Sequence, residues 1–112
     1  MTSKDRIILQ KIIGYIDDVF HYRRGLDADS FIQDKKTVSA CAFAVSQIGE
    51  LTKELTEELQ TASSAIPWRA IKGMRNRIVH DYENVDFTVL WGTVEKSLPE
   101  LKKQLIELLE NL

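Results

Sequence analysis

Residues 34–60 establish the fold class, and they read DKKTVSACAFAVSQIGELTKELTEELQ. Side chains suited to a core recur along this stretch at intervals of three and four residues, which is the spacing of one helix face. The members of this stripe are Val38, Cys41, Val45, Ile48, Thr52, Leu55 and Leu59. We therefore predict one long helix here. Gly49 lies inside it and costs roughly 1 kcal/mol relative to alanine, so we expect a close helix contact at that residue.

The chain shows the same helical spacing on both sides of this stretch. Before it, residues 5–24 carry an apolar stripe, and Gly25 is placed to end that helix ahead of a short polar link at residues 26–31. After it, residues 61–64 are a predicted loop. Pro67 suits the first turn of a third helix, which we expect to run to about His80.

A fourth helix is predicted beyond a polar break at residues 81–85. Asp86 can cap its first turn with a carboxylate oxygen. The fold class predicted from these patterns is all-α, an antiparallel bundle of four to five helices, with the C-terminal helix kinked or split near Ser97 and Pro99. No repeat or long linker divides the chain, so residues 1–112 are predicted to form a single domain.

Composition excludes several classes of protein. The chain is 44% hydrophobic and 29% charged, as in ordinary globular domains. No apolar run approaches the ~18 residues of a membrane span, and the first residues lack the apolar stretch of a signal peptide, so we expect a cytoplasmic protein without membrane attachment. The single cysteine excludes an internal disulfide. A net charge of −2 argues against a general nucleic-acid coat protein.

The charge is nevertheless unevenly distributed. Four Lys or Arg residues and no acid lie between Arg69 and His80. Such a local basic face can meet the phosphate backbone of a nucleic acid such as RNA, and Arg69, Lys72 and Arg77 are its candidate contacts. A solvated helix face has the same pattern, so this alternative stays open.

Residues 75–82, RNRIVHDY, hold the most reactive combination of side chains. An arginine can bind a phosphate by charge and by a two-pronged hydrogen bond. A histidine can move a proton near neutral pH. Arg75 and His80 together could therefore cleave a phosphodiester without a metal. No Gly-rich phosphate loop, zinc-type cysteine pair or metal-type histidine spacing accompanies them, so we expect no metal and no cofactor.

A helical wheel separates these two side chains. At about 100° per residue, Arg75 lies about 40° from Ile71, at the edge of the apolar face. His80 lies near the opposite side, one turn after Asn76 and within its hydrogen-bonding reach. Because the angle between Arg75 and His80 is about 140°, one straight helix cannot join them. Either the helix unwinds near His80, or a second chain completes the site.

Structural roles for the same residues also stay open. Arg75 at the edge of an apolar face needs an anion, which can be the carboxylate of Glu50 or Asp86 instead of a ligand phosphate. His80 can be a cap at a helix C-terminus, and Tyr82 a half-buried ring. Three further side chains are interpreted as core residues: Trp68, Trp91 and Cys41.

Residues 67–82, PWRAIKGMRNRIVHDY, with residues 85–86 and 90–91, resemble the signature of the HepT-like branch of HEPN domains. The resemblance extends through nearly the whole chain and includes residues 47–50 and 98–101. The family pattern is Arg-x4-His-x-Tyr with a polar residue directly after the arginine. Those positions are Arg75, Asn76, His80 and Tyr82 here, with no departure from the pattern.

The resemblance implies an all-helical homodimer whose paired motifs face each other across a cleft. It also implies a metal-independent endoribonuclease toxin. By that resemblance Arg75 would hold the scissile phosphate of RNA, and His80 would act as acid or base toward the ribose 2′-hydroxyl or the leaving oxygen. Asn76 would orient His80 or the phosphate. The implied products are a 2′,3′-cyclic phosphate and a 5′-hydroxyl.

The resemblance further implies a partner, a minimal nucleotidyltransferase antitoxin encoded next door. This antitoxin would transfer AMP from ATP to the motif tyrosine, Tyr82, and the added charge would repel RNA. The alternative is a non-catalytic HEPN module that binds a nucleotidyltransferase partner or a nucleotide. A plain helical interaction protein is a third possibility. RNA cleavage in the presence of EDTA separates the first reading from the other two.

Overall fold

Helix α1 spans Ser3–Tyr22 in the computed structural model, which describes residues 1–80 and 84–111. Thr2 caps it, because its side-chain oxygen accepts the Asp5 N–H at 2.9 Å while the Asp5 carboxylate accepts the Thr2 N–H at 3.3 Å. Gly25 follows with a φ of 79°, a backbone conformation that favours glycine. The helix predicted over residues 5–24 is therefore confirmed, displaced by two residues at each end.

The polar link predicted at residues 26–31 is wrong, because helix α2 spans Ala28–Gln33. Asp27 and Ser30 cap this helix reciprocally. The Ser30 N–H donates to the Asp27 carboxylate at 2.9 Å, and the Asp27 N–H donates to the Ser30 hydroxyl at 3.0 Å. Phe31 is fully buried, and its ring centroid lies 5.0 Å from that of Trp91. The reciprocal cap and the buried ring together favour a helix in this short polar segment.

The single helix predicted over residues 34–60 is in fact two helices, α3 over Lys35–Lys53 and α4 over Glu57–Ala62. Thr56 caps α4 by accepting the Leu59 N–H at 3.2 Å. Its own N–H and hydroxyl donate to the buried Asp5 carboxylate at 3.0 and 2.8 Å. The chain is thus tied to α1 between the two helices, and the first half of the loop predicted at residues 61–64 belongs to α4.

Helix α3 is central, since it packs against α1, α2 and the motif-bearing helices α5 (Trp68–Lys72) and α6 (Met74–Ile78). Gly49 permits the approach of α5. A β-carbon at this position would lie 3.4 Å from the Ile71 carbonyl oxygen and 3.5 Å from that of Lys72. The close helix contact predicted at Gly49 is confirmed.

The C-terminal region consists of α7 (Phe87–Gly92), a π-helical turn (Thr93–Ser97) and α8 (Leu98–Glu110). Asp86 caps α7 as predicted, accepting the Val89 N–H at 3.0 Å. Pro99 would crowd the carbonyl four residues earlier in a continuous α-helix. In the wider turn the Leu98 N–H instead donates to the Thr93 carbonyl, five residues back. The irregularity predicted near Ser97 and Pro99 is therefore a π-helical turn.

The core lies where α3 and α8 each pack against α1, and it continues where α5 and α6 pack against α3. Its largest fully buried side chains are Leu9, Ile12, Ile16, Val19, Phe31, Val45, Ile48, Ile78, Leu90, Val94, Leu98 and Leu105. Apart from an isolated antiparallel bridge between Val79 and Val85, the regular structure in residues 1–80 and 84–111 is helical, which confirms the all-α class. Within those residues no helix has both the length and the apolar content that a membrane crossing requires.

Candidate active site

Helices α5 and α6 carry most of the predicted site. Gly73 separates them, so the third helix is in two parts. The apolar side chains that hold this pair against the core are Trp68, Ile71, Met74 and Ile78. Because residues 74 and 78 share one face, residues 75 to 77 are turned away from the core. Arg75, Asn76 and Arg77 are accordingly all exposed.

His80 lies outside the helix. Helix α6 ends at Ile78, and Val79 is extended, with φ −111° and ψ 107°. The His80 N–H donates to the Asn84 carbonyl oxygen at 2.9 Å, and the Asp86 N–H donates to the Ile78 carbonyl oxygen at 2.7 Å. The helix end predicted at about His80 is therefore wrong by two residues. Unwinding near His80, one of the two alternatives, is confirmed, and the His80 side chain is exposed.

Arg75 does not use either carboxylate that the sequence offered as a structural partner. Glu50 pairs with Lys53 at 3.1 Å, and Asp86 caps α7. The Arg75 Nη1 donates to the Asn76 Oδ1 in a long contact of 3.4 Å. Within the described part of the chain, no carboxylate forms an ion pair with Arg75. Among those residues the guanidinium is free of an acidic partner, as a group that binds an anionic ligand would be.

Asn76 and His80, placed within hydrogen-bonding reach on a continuous helix, form no hydrogen bond with each other, because the helix ends between them. The Asn76 side chain contacts Arg75 instead. Asn76 therefore stands beside the predicted phosphate-binding group, and its amide group can orient either that guanidinium or a bound phosphate.

Arg75 opens onto a cavity of about 570 Å³ between α3 and the segment that follows α6. We call this the Arg75 cavity, and its lining residues are Ser39, Ala42, Phe43, Ser46, Arg75, Val79 and Val85. His80 is not among them. Phe43 was missed in the sequence, although one signal was present: this aromatic residue falls outside the apolar stripe of its helix.

The three residues predicted to contact RNA come together elsewhere. Arg69, Lys72 and Arg77 line a second cavity of about 820 Å³, beside Trp68 and the end of α4. None of its described lining residues is acidic, and we call it the basic cavity. Two of its cations are positioned by neighbours, since the Lys72 Nζ donates to the Gln60 Oε1 and the Arg77 Nη2 donates to the Ala70 carbonyl at 3.1 Å. The structure thus brings these residues together but separates them from Arg75.

Tyr82, the predicted modification site, lies outside the described residues. The three side chains interpreted as core residues are placed as follows. Trp68 is buried, and its Nε1 donates to the Ser63 carbonyl oxygen at 3.2 Å. Trp91 is half-buried, and the Arg23 guanidinium lies over its ring, 4.6 Å from the ring centroid. Cys41 is buried, and burial raises the pKa of its thiol to about 11, so it stays protonated and unreactive.

The helical architecture and the exposed Arg75 and His80 are those expected of a HEPN domain. The family sequence model described as ribonuclease HepT-like matches residues 12–108 of this chain. Because this match covers most of the chain, the protein belongs to the ribonuclease HepT-like family, the branch that its motif resembles.

Several relatives cover nearly the same length. A Thermococcus cleftensis protein, named as a probable ribonuclease HepT, is 34% identical over 91% of this chain and 93% of its own. A Caldanaerobacter subterraneus subsp. tengcongensis protein, provisionally named as an RNase, is 31% identical over 94% of both chains. One from Methanocaldococcus jannaschii, also provisionally named as an RNase, is 28% identical over 100% of this chain and 97% of its own. No solved structure matches the chain.

Proposed function

We propose that this protein is a metal-independent endoribonuclease that acts as the toxin of a toxin–antitoxin pair. Membership of the ribonuclease HepT-like family, together with relatives named as ribonucleases, supports RNA as the substrate. The observation that carries the proposal is the state of Arg75. Its guanidinium is exposed, has no carboxylate partner among the described residues, and precedes an extended segment that presents His80 to solvent.

The proposed reaction is an internal transfer at phosphorus. The ribose 2′-hydroxyl loses its proton and its oxygen bonds to the adjacent phosphorus, while the bond from phosphorus to the 5′-oxygen breaks and that oxygen takes up a proton. His80 would serve as the acid or base for one of these proton transfers. Arg75 would bind the phosphate and stabilise the charge that builds on its oxygens, and Asn76 would orient the guanidinium or the phosphate.

The proposed active form is a homodimer. The helix ends between Arg75 and His80, but within one chain His80 still does not line the Arg75 cavity. A second chain with two-fold symmetry would bring another copy of each motif to the same cleft, so the arginine of one chain could act with the histidine of the other. The basic cavity would then hold RNA backbone away from the scissile phosphate through Arg69, Lys72 and Arg77.

The decisive experiment is RNA cleavage by the purified protein in excess EDTA, with analysis of the fragment ends. We expect undiminished cleavage, a 2′,3′-cyclic phosphate on one fragment and a 5′-hydroxyl on the other. Loss of cleavage in EDTA with recovery on adding Mg²⁺ would contradict metal independence. If the purified protein cleaves no RNA under any condition, a non-catalytic HEPN module that binds a nucleotidyltransferase or a nucleotide becomes the better account.

We further propose that a nucleotidyltransferase antitoxin neutralises the toxin by transferring AMP to Tyr82. The phenolic oxygen would bond to the α-phosphorus of ATP, releasing pyrophosphate and the phenolic proton. The resulting phosphodiester would add negative charge two residues from His80 and repel RNA.

Co-expression with the adjacent nucleotidyltransferase, followed by intact-mass spectrometry, tests this modification. We expect the mass to rise by one or more AMP units, and we expect Tyr82→Phe to escape neutralisation while keeping at least part of its toxicity. Fully neutralised protein with an unmodified Tyr82 would instead support simple binding by the antitoxin.

A further inference from the structure

Phe43 presents an aromatic ring to solvent in the middle of the central helix. Its side chain is 59% exposed, whereas its neighbours Cys41 and Val45 on α3 are fully buried. The helix therefore needs no contribution from Phe43 to bury its apolar stripe. An exposed phenyl ring in this place is available to a ligand.

The ring lines the Arg75 cavity, so an aromatic face and a cation that can bind phosphate share one concave surface. Ser39 and Ser46 add hydroxyl groups to the lining. The Ser46 Oγ donates to the Ala42 carbonyl at 2.9 Å, which leaves its lone pairs free to accept a hydrogen bond. Ligand sites commonly combine apolar walls with a few polar groups in cavities of about 300–1,000 Å³.

These groups match the parts of one nucleotide. The flat apolar ring suits a nucleobase, the serine hydroxyls suit the polar edge of a base, and the guanidinium suits a phosphate. None of the described residues that line the cavity is acidic.

We propose that the Arg75 cavity is a nucleobase subsite, in which Phe43 stacks on an unpaired base next to the phosphate bound by Arg75. This inference rests on the proposed ribonuclease function and specifies its substrate as RNA that is unpaired at the cleavage site. Base-paired RNA is excluded because a stacked, splayed-out base must leave its helix. Stacking alone tolerates every base, so discrimination between bases falls to Ser39 and Ser46.

A second copy of the chain is the main competing occupant of this surface. Protein interfaces bury contiguous apolar patches with few charges at their centre. Here the phenyl ring shares the cavity with Ser39, Ser46 and the Arg75 guanidinium. This mixture favours a nucleotide, and the two occupants make different demands on residue 43: stacking needs a flat aromatic ring, whereas an apolar contact needs only apolar volume.

The test measures binding of a labelled, unpaired 2′-O-methyl RNA oligonucleotide, which cannot be cleaved, by fluorescence anisotropy. We expect Phe43→Leu and Phe43→Ala each to raise the Kd by about 5-fold to 150-fold, which corresponds to the loss of one stacked base. Phe43→Trp should bind at least as tightly as the parent. The matched control is Ile7→Ala, which removes an apolar side chain that is 52% exposed on α1 and should leave the Kd unchanged.

Two further readouts complete the design. The same oligonucleotide annealed to its complement should bind the parent, Phe43→Leu and Phe43→Trp with equal affinity. Sedimentation of all variants should show one common oligomeric state. The subsite would be overturned if Phe43→Leu bound unpaired RNA as tightly as the parent does. It would also be overturned if Phe43→Ala bound weakly and sedimentation showed that this variant had lost the parental oligomeric state.

Failure of this inference is distinguishable from failure of the proposed function. A parent protein that cleaves RNA in EDTA while Phe43→Leu binds normally is a nuclease without this subsite. A parent protein that binds unpaired RNA through Phe43 but leaves cleavable RNA intact has the subsite and lacks the activity.

Discussion

The side chains of Arg75 and His80 are both exposed, and neither belongs to the hydrophobic core. Different parts of the backbone hold them in these positions. Arg75 is turned outward by α6, which Met74 and Ile78 anchor. His80 is positioned by its main-chain hydrogen bond to Asn84, which does not involve its imidazole. Removing either side chain should therefore affect chemistry and leave the fold in place.

We expect His80→Ala and Arg75→Ala each to slow RNA cleavage by about 10²–10⁴-fold with unchanged helical content. Initial cleavage rates and far-ultraviolet circular dichroism measure the two properties. His21→Ala and Arg24→Ala remove the same residue types from exposed positions at the end of α1, and both should cleave like the parent. Parental rates in both motif variants would refute the assigned roles, and unfolding of Arg75→Ala would favour a structural ion pair.

Asp5 joins α1 to α4, and its ionisation is coupled to that junction. Burial acts to raise its pKa, but the hydrogen bonds from Thr56 and Thr2 outweigh burial and hold the pKa of Asp5 below its ordinary value of 3.8. A carboxyl group with a lowered pKa in the folded state stabilises the fold above its unfolded-state pKa. This contribution is lost as the pH falls through the lower folded-state pKa.

Asp5→Asn should therefore lower the free energy of unfolding by about 1.5–3 kcal/mol near neutral pH, since a buried ionised acceptor is lost. The difference between parent and variant should shrink as the pH falls below the ordinary carboxyl value of 3.8. Urea unfolding across the acid range measures both effects, with Asp18→Asn as a control for an exposed acid on the same helix. A difference that does not vary with pH would show that ionised Asp5 is not the stabilising species.

Gly49 lies where the backbone of α5 comes close to α3, with room for a methyl group and not for a larger side chain. We expect Gly49→Leu to lower the free energy of unfolding by about 1–3 kcal/mol, because the side chain would be forced against the carbonyl groups of α5. Gly49→Ala should be neutral or stabilising, since its methyl group would be in ordinary contact and alanine favours a helix by up to about 1 kcal/mol.

The matched control for this position is Gly14→Leu. No atom outside the local helix backbone lies within 4 Å of a β-carbon at Gly14, so leucine should be tolerated there. Thermal or urea unfolding of the three variants compares them. Equal effects of leucine at both glycines would mean that helix propensity, and not the α5 contact, determines the outcome.

The sequence predicted the helices whose signals are local and missed the breaks that depend on distant residues. The α1 stripe, the Asp86 cap and the Gly49 contact follow from spacing and residue type within one segment. The break between α3 and α4 does not follow from local spacing, because Thr56 at this break donates its hydrogen bonds to Asp5, which lies 51 residues away. Helix α2 was missed because its burial of Phe31 depends on Trp91, a residue from another helix.

The candidate site likewise combines features that follow from local sequence with features that depend on distant residues. Residue types and spacing in the motif make Arg75 and His80 the candidates, since their chemistry is intrinsic to the side chains, and their roles stay a prediction. Their placement was not predictable in full, because the extended Val79 depends on main-chain partners that follow the motif. Phe43 was missed for a related reason: its proximity to Arg75 results from the packing of α6 on α3.

The proposed dimer can be tested by mixing two inactive proteins. If Arg75 of one chain acts with His80 of the other, a heterodimer of Arg75→Ala and His80→Ala contains one intact site. Random exchange of subunits should then restore about a quarter of the parental cleavage rate, because half of the dimers would be mixed and each would have one of two sites intact. Each protein incubated alone is the control.

Two results would contradict this arrangement. Sedimentation that shows only monomer at micromolar concentration would exclude the dimer itself. A stable dimer whose mixed variants remain inactive after subunit exchange would show that each chain uses its own Arg75 and His80.

The Arg75 cavity and the basic cavity are separate, so in the proposed function the length of an RNA would determine how many cations it meets. Each phosphate that pairs with a cation displaces condensed counterions, and binding of a single strand weakens with a log–log slope of about −0.7 per phosphate. A strand that occupies both cavities contacts Arg69, Lys72 and Arg77 as well, so its slope should be steeper by about 2 than that of a short fragment held at Arg75 alone. Rising salt should therefore narrow the difference in affinity between long and short RNAs, and ionic strength would set the substrate length that the protein prefers.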